Sequence, residues 1–318
     1  MRRLEFLLVS LFTSAMIEVA DGAVVFEGPV FSKSFGTNRF VRIYLPPSYE
    51  SARNKRYPVL YVHDGQNAFT TVGPNVAFGW GNWHLDKTVG DLVSAGKMRE
   101  IVMVAVDCSG ERYLDYRGPA YKYSASEIKA LQRPPPAAGD NRRWQQYTTF
   151  LIEELKPKID AEYRTLREAK NTGVLGSSMG GIASVALAWE HPKIFGQAAS
   201  LSGAFQVERK NFLKCLRDYR GKTKPIRVYL DSGVVDFSGG DDGRSQTEAV
   251  AKELRRIGWH DDKNLRYFVD EPPLNAEELA ATGLPREKWK EAQSSQHNEF
   301  YWRLRVWRAL TFLFPPEK

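Results

Sequence analysis

The stretch Gly173-Val174-Leu175-Gly176-Ser177-Ser178-Met179-Gly180-Gly181 decides how this chain is read, because a short apolar run ends in a serine framed by glycines two positions to either side. A strand that turns sharply into a helix holds its apex residue in a strained conformation, and flanking residues without side chains leave room for that turn. The frame selects Ser178, with Gly176 behind it and Gly180 ahead. Ser177 would need glycine at Leu175 and Met179. Ser178 is therefore the candidate nucleophile of a strand-to-helix elbow.

Working outward, Val59-Leu60-Tyr61-Val62, Ile101 to Val106, Ala198 to Leu201, Ile226 to Leu230 and Leu265 to Val269 are apolar runs like Gly173-Val174-Leu175. Apolar strands that do not alternate are buried on both faces, as in a parallel sheet covered by helices. Helical patterns lie between them at Trp83 to Ala95, Trp144 to about Ile159, Met179 to Trp189, Thr247 to Ile257 and Glu299 to Phe312. Pro157 is expected to kink or end the second. Nearer the N-terminus, Val30 to Phe35 and Arg39 to Leu45 alternate about Gly36-Thr37-Asn38, which predicts an antiparallel hairpin at the sheet edge. The fold class is α/β, a three-layer sandwich with a mostly parallel central sheet and an N-terminal antiparallel hairpin. Residues 117–143, with Pro134-Pro135-Pro136, and residues 271–296, with Pro272-Pro273, break the rhythm and are expected to be lid-like insertions in a single domain over 23–318.

Composition narrows the function. The chain has 318 residues, 42% hydrophobic and 26% charged, enough apolar mass for one large core. Its formal net charge of +7 comes from Lys and Arg scattered without a basic run, which argues against a nucleic-acid partner. Met1-Arg2-Arg3, the apolar segment Phe6 to Ile17 and the small residues Ala20, Gly22 and Ala23 predict a secretory signal peptide over 1–22, cleaved near Gly22, and hence a periplasmic or secreted protein with no integral span after leader removal. Without cleavage the chain would stay cytoplasmic. Cys108 and Cys215 are too few for a disulfide framework; they could pair in an exported protein but are expected as two buried thiols, and no Cys/His cluster suggests a metal.

A serine needs a general base, and the base needs a carboxylate to orient it. Of five histidines, His297 in Ser294-Ser295-Gln296-His297-Asn298-Glu299 lies downstream of the last strand and just ahead of the last helix, where the chain order serine, acid, histidine puts the base. His260 is the reserve. Arg227-Val228-Tyr229-Leu230-Asp231-Ser232-Gly233-Val234-Val235-Asp236 offers two acids. Asp236, on the loop proper, is preferred over Asp231, which sits at the strand end where a carboxylate commonly accepts backbone amides. Asp241 and Asp242 belong to a Gly-rich acidic loop that fails calcium-loop spacing. Donors for a tetrahedral oxyanion are the amides of Met179 and, in the loop Tyr61-Val62-His63-Asp64-Gly65-Gln66-Asn67, of Gln66.

These segments, with Phe150-Leu151-Ile152-Glu153-Glu154-Leu155, Tyr163-Arg164-Thr165, Pro192-Lys193-Ile194-Phe195 and His297-Asn298-Glu299 plus Trp302, resemble the esterase D-like family of the α/β-hydrolase fold. That family includes enterochelin, feruloyl and acetyl-xylan esterases, formylglutathione hydrolases and mycolyltransferase antigens. The resemblance implies Ser178, Asp236 and His297 as a triad, the Gln66 and Met179 amides as the oxyanion hole, and no cofactor. Two departures concern substrate: 271–296 is long, and His63 stands where some relatives carry an aliphatic residue. The expected activity is hydrolysis of a carboxylic ester through an acyl-serine intermediate, on a small-molecule or polysaccharide ester of carbohydrate-linked, feruloyl or siderophore type. The alternatives are acyl transfer to a sugar hydroxyl and a non-catalytic glycan-binding scaffold. Trp80, Trp83, Trp144 and Trp302 are placed near the active-site loops, where they could stack on sugar or phenolic groups or serve as core aromatics.

Overall fold

The computed structural model describes residues 22–130 and 140–317, so the leader and the proline triplet at 134–136 lie outside the described residues. Eight strands form one sheet in the order β1-β2-β4-β3-β5-β6-β7-β8. They are β1 (Ala23–Ser32), β2 (Thr37–Leu45), β3 (Val59–His63), β4 (Val102–Val106), β5 (Thr172–Ser177), β6 (Gln197–Leu201), β7 (Arg227–Ser232) and β8 (Leu265–Val269). β1 and β2 form the antiparallel hairpin and β2 runs antiparallel to β4, while the pairings from β4 through β8 are all parallel. The hairpin turn is at Lys33–Gly36, ahead of the expected position, because Asn38 already pairs with Phe31.

The first helices are α1 (Leu85–Ser94), α2 (Arg112–Tyr116), α3 (Ala125–Ala130), α4 (Arg142–Thr149) and α5 (Lys156–Glu162). Then follow α6 (Met179–Glu190), α7 (Val207–Asp218), α8 (Arg244–Ile257), α9 (Ala276–Ala281), α10 (Trp289–Ser294) and α11 (Glu299–Leu313). Alternate strand residues divide between two cores. Tyr61, Val104, Val174 and Val228 face α4 through α8, whereas Leu60, Val62, Leu175 and Tyr229 face α1 and α11. Burial on both sides is why these strands read as unbroken apolar runs.

Pro157 does not end its helix. Phe150–Leu155 winds as a π-helical segment between α4 and α5, and the looser turn accommodates a residue that has no N–H to donate. The 271–296 insertion carries two helices, α9 and α10. Leu279, Leu284 and Ala292 pack on Phe300 and Tyr301 at the start of α11 as a small core of their own.

The strand order fixes where a ligand fits. From β3 the chain steps one way to β4, then crosses back over β3 to β5 and continues outward, so the direction reverses between β3 and β5. Loops diverge at such a switch point and leave a crevice at the carboxyl ends of the strands. The loop after β3 and the elbow after β5 flank it.

Candidate active site

Ser178 follows β5 with φ 52° and ψ −119°, a conformation that side chains rarely adopt. Backbone bonds pin it there: its N–H donates to Leu201 O at 2.9 Å, and its carbonyl accepts from Ala204 N at 2.9 Å. The glycine frame is steric. A Cβ on Gly176 would stand 2.5 Å from the Gly180 carbonyl carbon, and one on Gly180 would stand 3.0 Å from His63 Cβ. Met179 opens α6, and the amides of a first helical turn have no acceptor within the helix.

Opposite the elbow, Asp64 turns the chain out of β3 in a left-handed conformation (φ 57°) into a single helical turn, Gly65–Asn67. Gly65 is required there because a Cβ would meet the β4 backbone, Ala105 C and Val106 N, at 2.8 Å. The Gln66 side chain is tied to Cys108: its Oε1 accepts from Cys108 N at 3.0 Å and its Nε2 donates to Cys108 Sγ at 3.2 Å.

His297 lies in the loop before α11, whose N-terminus is capped by the Asn298 side chain accepting from Tyr301 N. Its ring packs edge-on to Trp302, 5.1 Å between centroids, and to Phe237 at 5.9 Å. His297 Nδ1 is 2.6 Å from Asp242 Oδ1. The carboxylate on the histidine is thus Asp242, and the sequence expectation of Asp236 is corrected. Asp236 Oδ1 instead accepts from Ser238 N at 2.8 Å, Ser238 Oγ at 2.6 Å and Gly240 N at 2.9 Å, closing its own loop. Partial burial would raise its pKa, but these bonds outweigh it and hold the carboxyl below its usual range.

Asp242 is completely buried, and its second oxygen is saturated. Oδ2 accepts from Ser202 Oγ at 2.6 Å and from Gly233 N, with Arg305 Nη2 at 3.6 Å. Ser202 Oγ in turn accepts from Trp302 Nε1 at 3.0 Å and from Arg305. Arg305, itself buried, sits 3.1 Å from Asp231 and 3.4 Å from Asp270, and the three carboxylates keep it charged against the cost of burial. Asp231 accepts from Ser202 N at 3.2 Å and Tyr229 OH at 3.0 Å, a structural role at the strand end. Only Oδ1 of Asp242 is left to face the imidazole.

Ser178 and His297 line one cavity of about 730 Å³ with Asp64, Gln66, Phe78, Trp80, Cys108, Arg112, Phe237, Glu299 and Trp302. Trp83 packs behind Trp302 at 5.8 Å, and Trp144 is a core residue bonded to Glu190, so two of the four tryptophans singled out reach the cavity. The reserve base His260 is in the turn before β8, at the opposite end of the parallel sheet from Ser178. His63 is buried with Nδ1 2.7 Å from Tyr147 OH, and burial lowers its pKa to about 4, so it is neutral. Cys108 and Cys215 are free thiols, the first half-buried and the second exposed, so neither is the fully buried thiol expected.

Three charged groups to which the sequence assigned no role complete the cavity wall. Arg112 grips Asp64 bidentately, with Nε to Oδ1 and Nη2 to Oδ2 both at 2.7 Å. Beside them Glu299 accepts from Asn67 Nδ2 at 3.0 Å, and burial pushes its pKa up to about 7, reinforced by the negative charge of Asp64. Asp64 and Glu299 stand in segments already quoted, the β3 loop and His297-Asn298-Glu299, but they meet each other and Arg112 only through the fold.

A family model described as "Putative esterase" matches residues 32–308. The chain belongs to that family. It is a carboxylic-ester hydrolase, with the resemblance stated from its motifs upheld. Among relatives, it is 23% identical over 254 residues to the uncharacterized protein YbbA of Bacillus subtilis (strain 168), covering 74% of this chain and 86% of that one. It is 28% identical over 182 residues to an endo-1,4-beta-xylanase/feruloyl esterase of Xylanibacter ruminicola, covering 54% of this chain and 20% of that longer protein. A solved ferulic acid esterase superposes with a TM-score of 0.63 at 18% identity, over 92% of this chain and 98% of the other. The enterobactin esterase FES of Shigella flexneri gives 0.61 at 15%, over 91% and 58%. These structures establish the shared esterase fold. Among the described residues no helix is long and apolar enough to cross a membrane.

Proposed function

We propose that the chain cleaves carboxylic esters through an acyl-serine intermediate, with Ser178 as nucleophile, His297 as base and Asp242 as the acid that orients it. The observation that carries this reading is the 2.6 Å pairing of His297 Nδ1 with a buried, otherwise saturated carboxylate, in the same cavity as a serine on a strained elbow. Asp242 fixes the proton on Nδ1 and leaves Nε2 to take the Ser178 proton as Oγ attacks the ester carbonyl. The amides of Met179 and Gln66 receive the charge that develops on the carbonyl oxygen. The imidazolium then gives its proton to the leaving alcohol, and a water, deprotonated by the same His297, releases the acid and frees Ser178.

The wall supports an aromatic acyl ester of a sugar or other polyhydroxy alcohol. Phe78, Trp80, Phe237 and Trp302 supply flat apolar surface, the Asp64–Arg112 pair and Glu299 supply polar partners, and about 730 Å³ is ample for both halves of such an ester. The relatives named for feruloyl ester cleavage support the same class. The positively charged and then apolar start of the chain supports export, with the mature protein acting in the periplasm or outside the cell.

The test is Ser178→Ala together with a fluorophosphonate probe. Hydrolysis of p-nitrophenyl acetate falls at least about 10³-fold in the variant, and the probe labels the peptide that contains Ser178. Retained turnover, or an adduct on another peptide, overturns the assignment.

A further inference from the structure

The catalytic cavity lies at the carboxyl ends of the parallel strands, and a second cavity of about 830 Å³ lies at their amino ends. It is bounded by Gly196-Gln197 at the start of β6, Pro225 to Arg227 at the start of β7, Asn264 ahead of β8, and the Leu313 to Glu317 tail. Five cations line it, Arg99, Lys170, Lys224, Arg227 and Lys263, against two carboxylates, Glu168 and Glu317. Among the described residues none of the five forms an ion pair, although most other buried and half-buried arginines of this chain do.

Two of the arginines are held in place from below. Arg99 lies over the Phe314 ring at 5.6 Å and donates to Asn171 Oδ1 at 3.2 Å, and Arg227 lies over Phe312 at 5.2 Å and donates to Phe312 O at 2.9 Å. Burial lowers both pKa values; Glu317 partly offsets this at Arg99, while repulsion from a neighbouring guanidinium adds to it, Arg227 on Arg99 and Arg266 on Arg227. A bound anion relieves that repulsion. Gln197, a lining residue 4% exposed, makes the second observation: its Nε2 donates to Lys170 O, while its buried Oε1 has no partner among the described residues. A buried acceptor left unpaired is unfavourable and is completed by a donor from a ligand. Cations and a free acceptor together select a molecule that carries both anionic groups and hydroxyls.

We propose that this cavity is a binding site, separate from the ester-cleaving centre, for a small hydroxylated polyanion: an acidic sugar whose anionic groups are carboxylates or phosphates. A concave site of this volume, with its aromatic rings beneath the guanidinium groups, suits a compact ligand better than a flat bilayer or stacked nucleobases. The position lets the same molecule hold an acidic glycan on one side and cleave an ester on the other.

The probes are trigalacturonate, fructose 1,6-bisphosphate, neutral maltotriose and tricarballylate, a tricarboxylate without hydroxyls, titrated calorimetrically into the whole protein at about 0.15 M salt. At least one anionic sugar binds saturably at one site, about tenfold or more tighter than maltotriose and tricarballylate. The arm that wins separates a uronate from a sugar phosphate. Lys170→Ala with Lys263→Ala weakens it about tenfold, while Lys33→Ala with Lys122→Ala, exposed lysines elsewhere, leaves it unchanged. Ser178→Ala binds as the parent does, so this result stands or falls apart from the esterase mechanism. The proposal is overturned if neither anionic sugar outbinds maltotriose, if tricarballylate equals them, or if both lysine pairs weaken binding alike.

Discussion

Replacing Asp242 by asparagine separates the acid seen on the histidine from the one the loop sequence favours. Asparagine has one acceptor oxygen where Asp242 uses two, one for His297 and one for Ser202 and Gly233. If the amide oxygen stays on Ser202 and Gly233, the NH₂ faces Nδ1 and forces the tautomer with its proton on Nε2, which cannot accept from Ser178. If the amide flips, the NH₂ opposes the Gly233 N–H. Loss of the correct tautomer in a serine triad lowers kcat about 10⁴-fold, or about 5.5 kcal/mol at about 1.36 kcal/mol per decade. Removing one member of a buried ion pair costs about 3–5 kcal/mol, but Arg305 keeps Asp231 at 3.1 Å and Asp270 at 3.4 Å, so the stability loss falls below that range. The folded variant is therefore assayable. Asp236→Asn retains an oxygen for Ser238 and Gly240 and keeps kcat within about threefold. Steady-state hydrolysis of p-nitrophenyl acetate, with thermal melts as the folding control, reads both. A folded Asp242→Asn protein that keeps a tenth of the parent kcat, or an Asp236→Asn protein that loses as much as Asp242→Asn, refutes the assignment.

Gly176→Ala should lower the melting temperature by the equivalent of about 2 kcal/mol or more, because its Cβ would stand 2.5 Å from backbone, the Gly180 carbonyl carbon, which cannot rotate away; an unchanged melt would show that the elbow has slack. Glu299 has its pKa raised from 4.5 to about 7, so the folded protein holds a proton that the unfolded chain has released between those values. Its contribution is fully present below pH 4.5 and is lost as pH rises through 7, at most about 3 kcal/mol. Glu299→Gln should flatten the fall in stability between pH 5 and 8 measured by urea unfolding, and an unaltered slope would show that Glu299 is ionised throughout.

What could be read in the linear chain was what short-range physics dictates. Gly176 and Gly180 announce the elbow because two backbones approach each other within four residues, and any side chain there would collide. The strands were visible because both faces are buried, and His297 because its loop immediately precedes a capped amphipathic helix. Pro157 misled because its tolerance depends on a π-helical segment that no local propensity signals. Arg112 carries no motif, and Glu299, though adjacent to the His297 segment, shows no role of its own, because each is an ordinary charged residue until the fold brings it to Asp64 and Asn67.

The misplaced acid shows how local bonding and distant bonding divide one loop. From the end of β7 to the start of α8 the chain offers Asp231, Asp236, Asp241 and Asp242, and each must satisfy its oxygens somewhere. Asp236 does so within four residues: its side chain takes the amides of Ser238 and Gly240, and its own N–H donates to Gly240 O at 3.0 Å. That closed turn consumes the carboxylate that looked free and leads the chain back, so that Asp242, at φ 53°, enters the interior just before α8. There its partners are Ser202, 40 residues before it, and His297, 55 residues after. A carboxylate that finds its acceptor duty locally is unavailable to a base. Asp242 has no such closed turn of its own, and its oxygens go to His297, Ser202, Gly233 and, at 3.6 Å, the Arg305 guanidinium on α11, groups that only the assembled fold brings together.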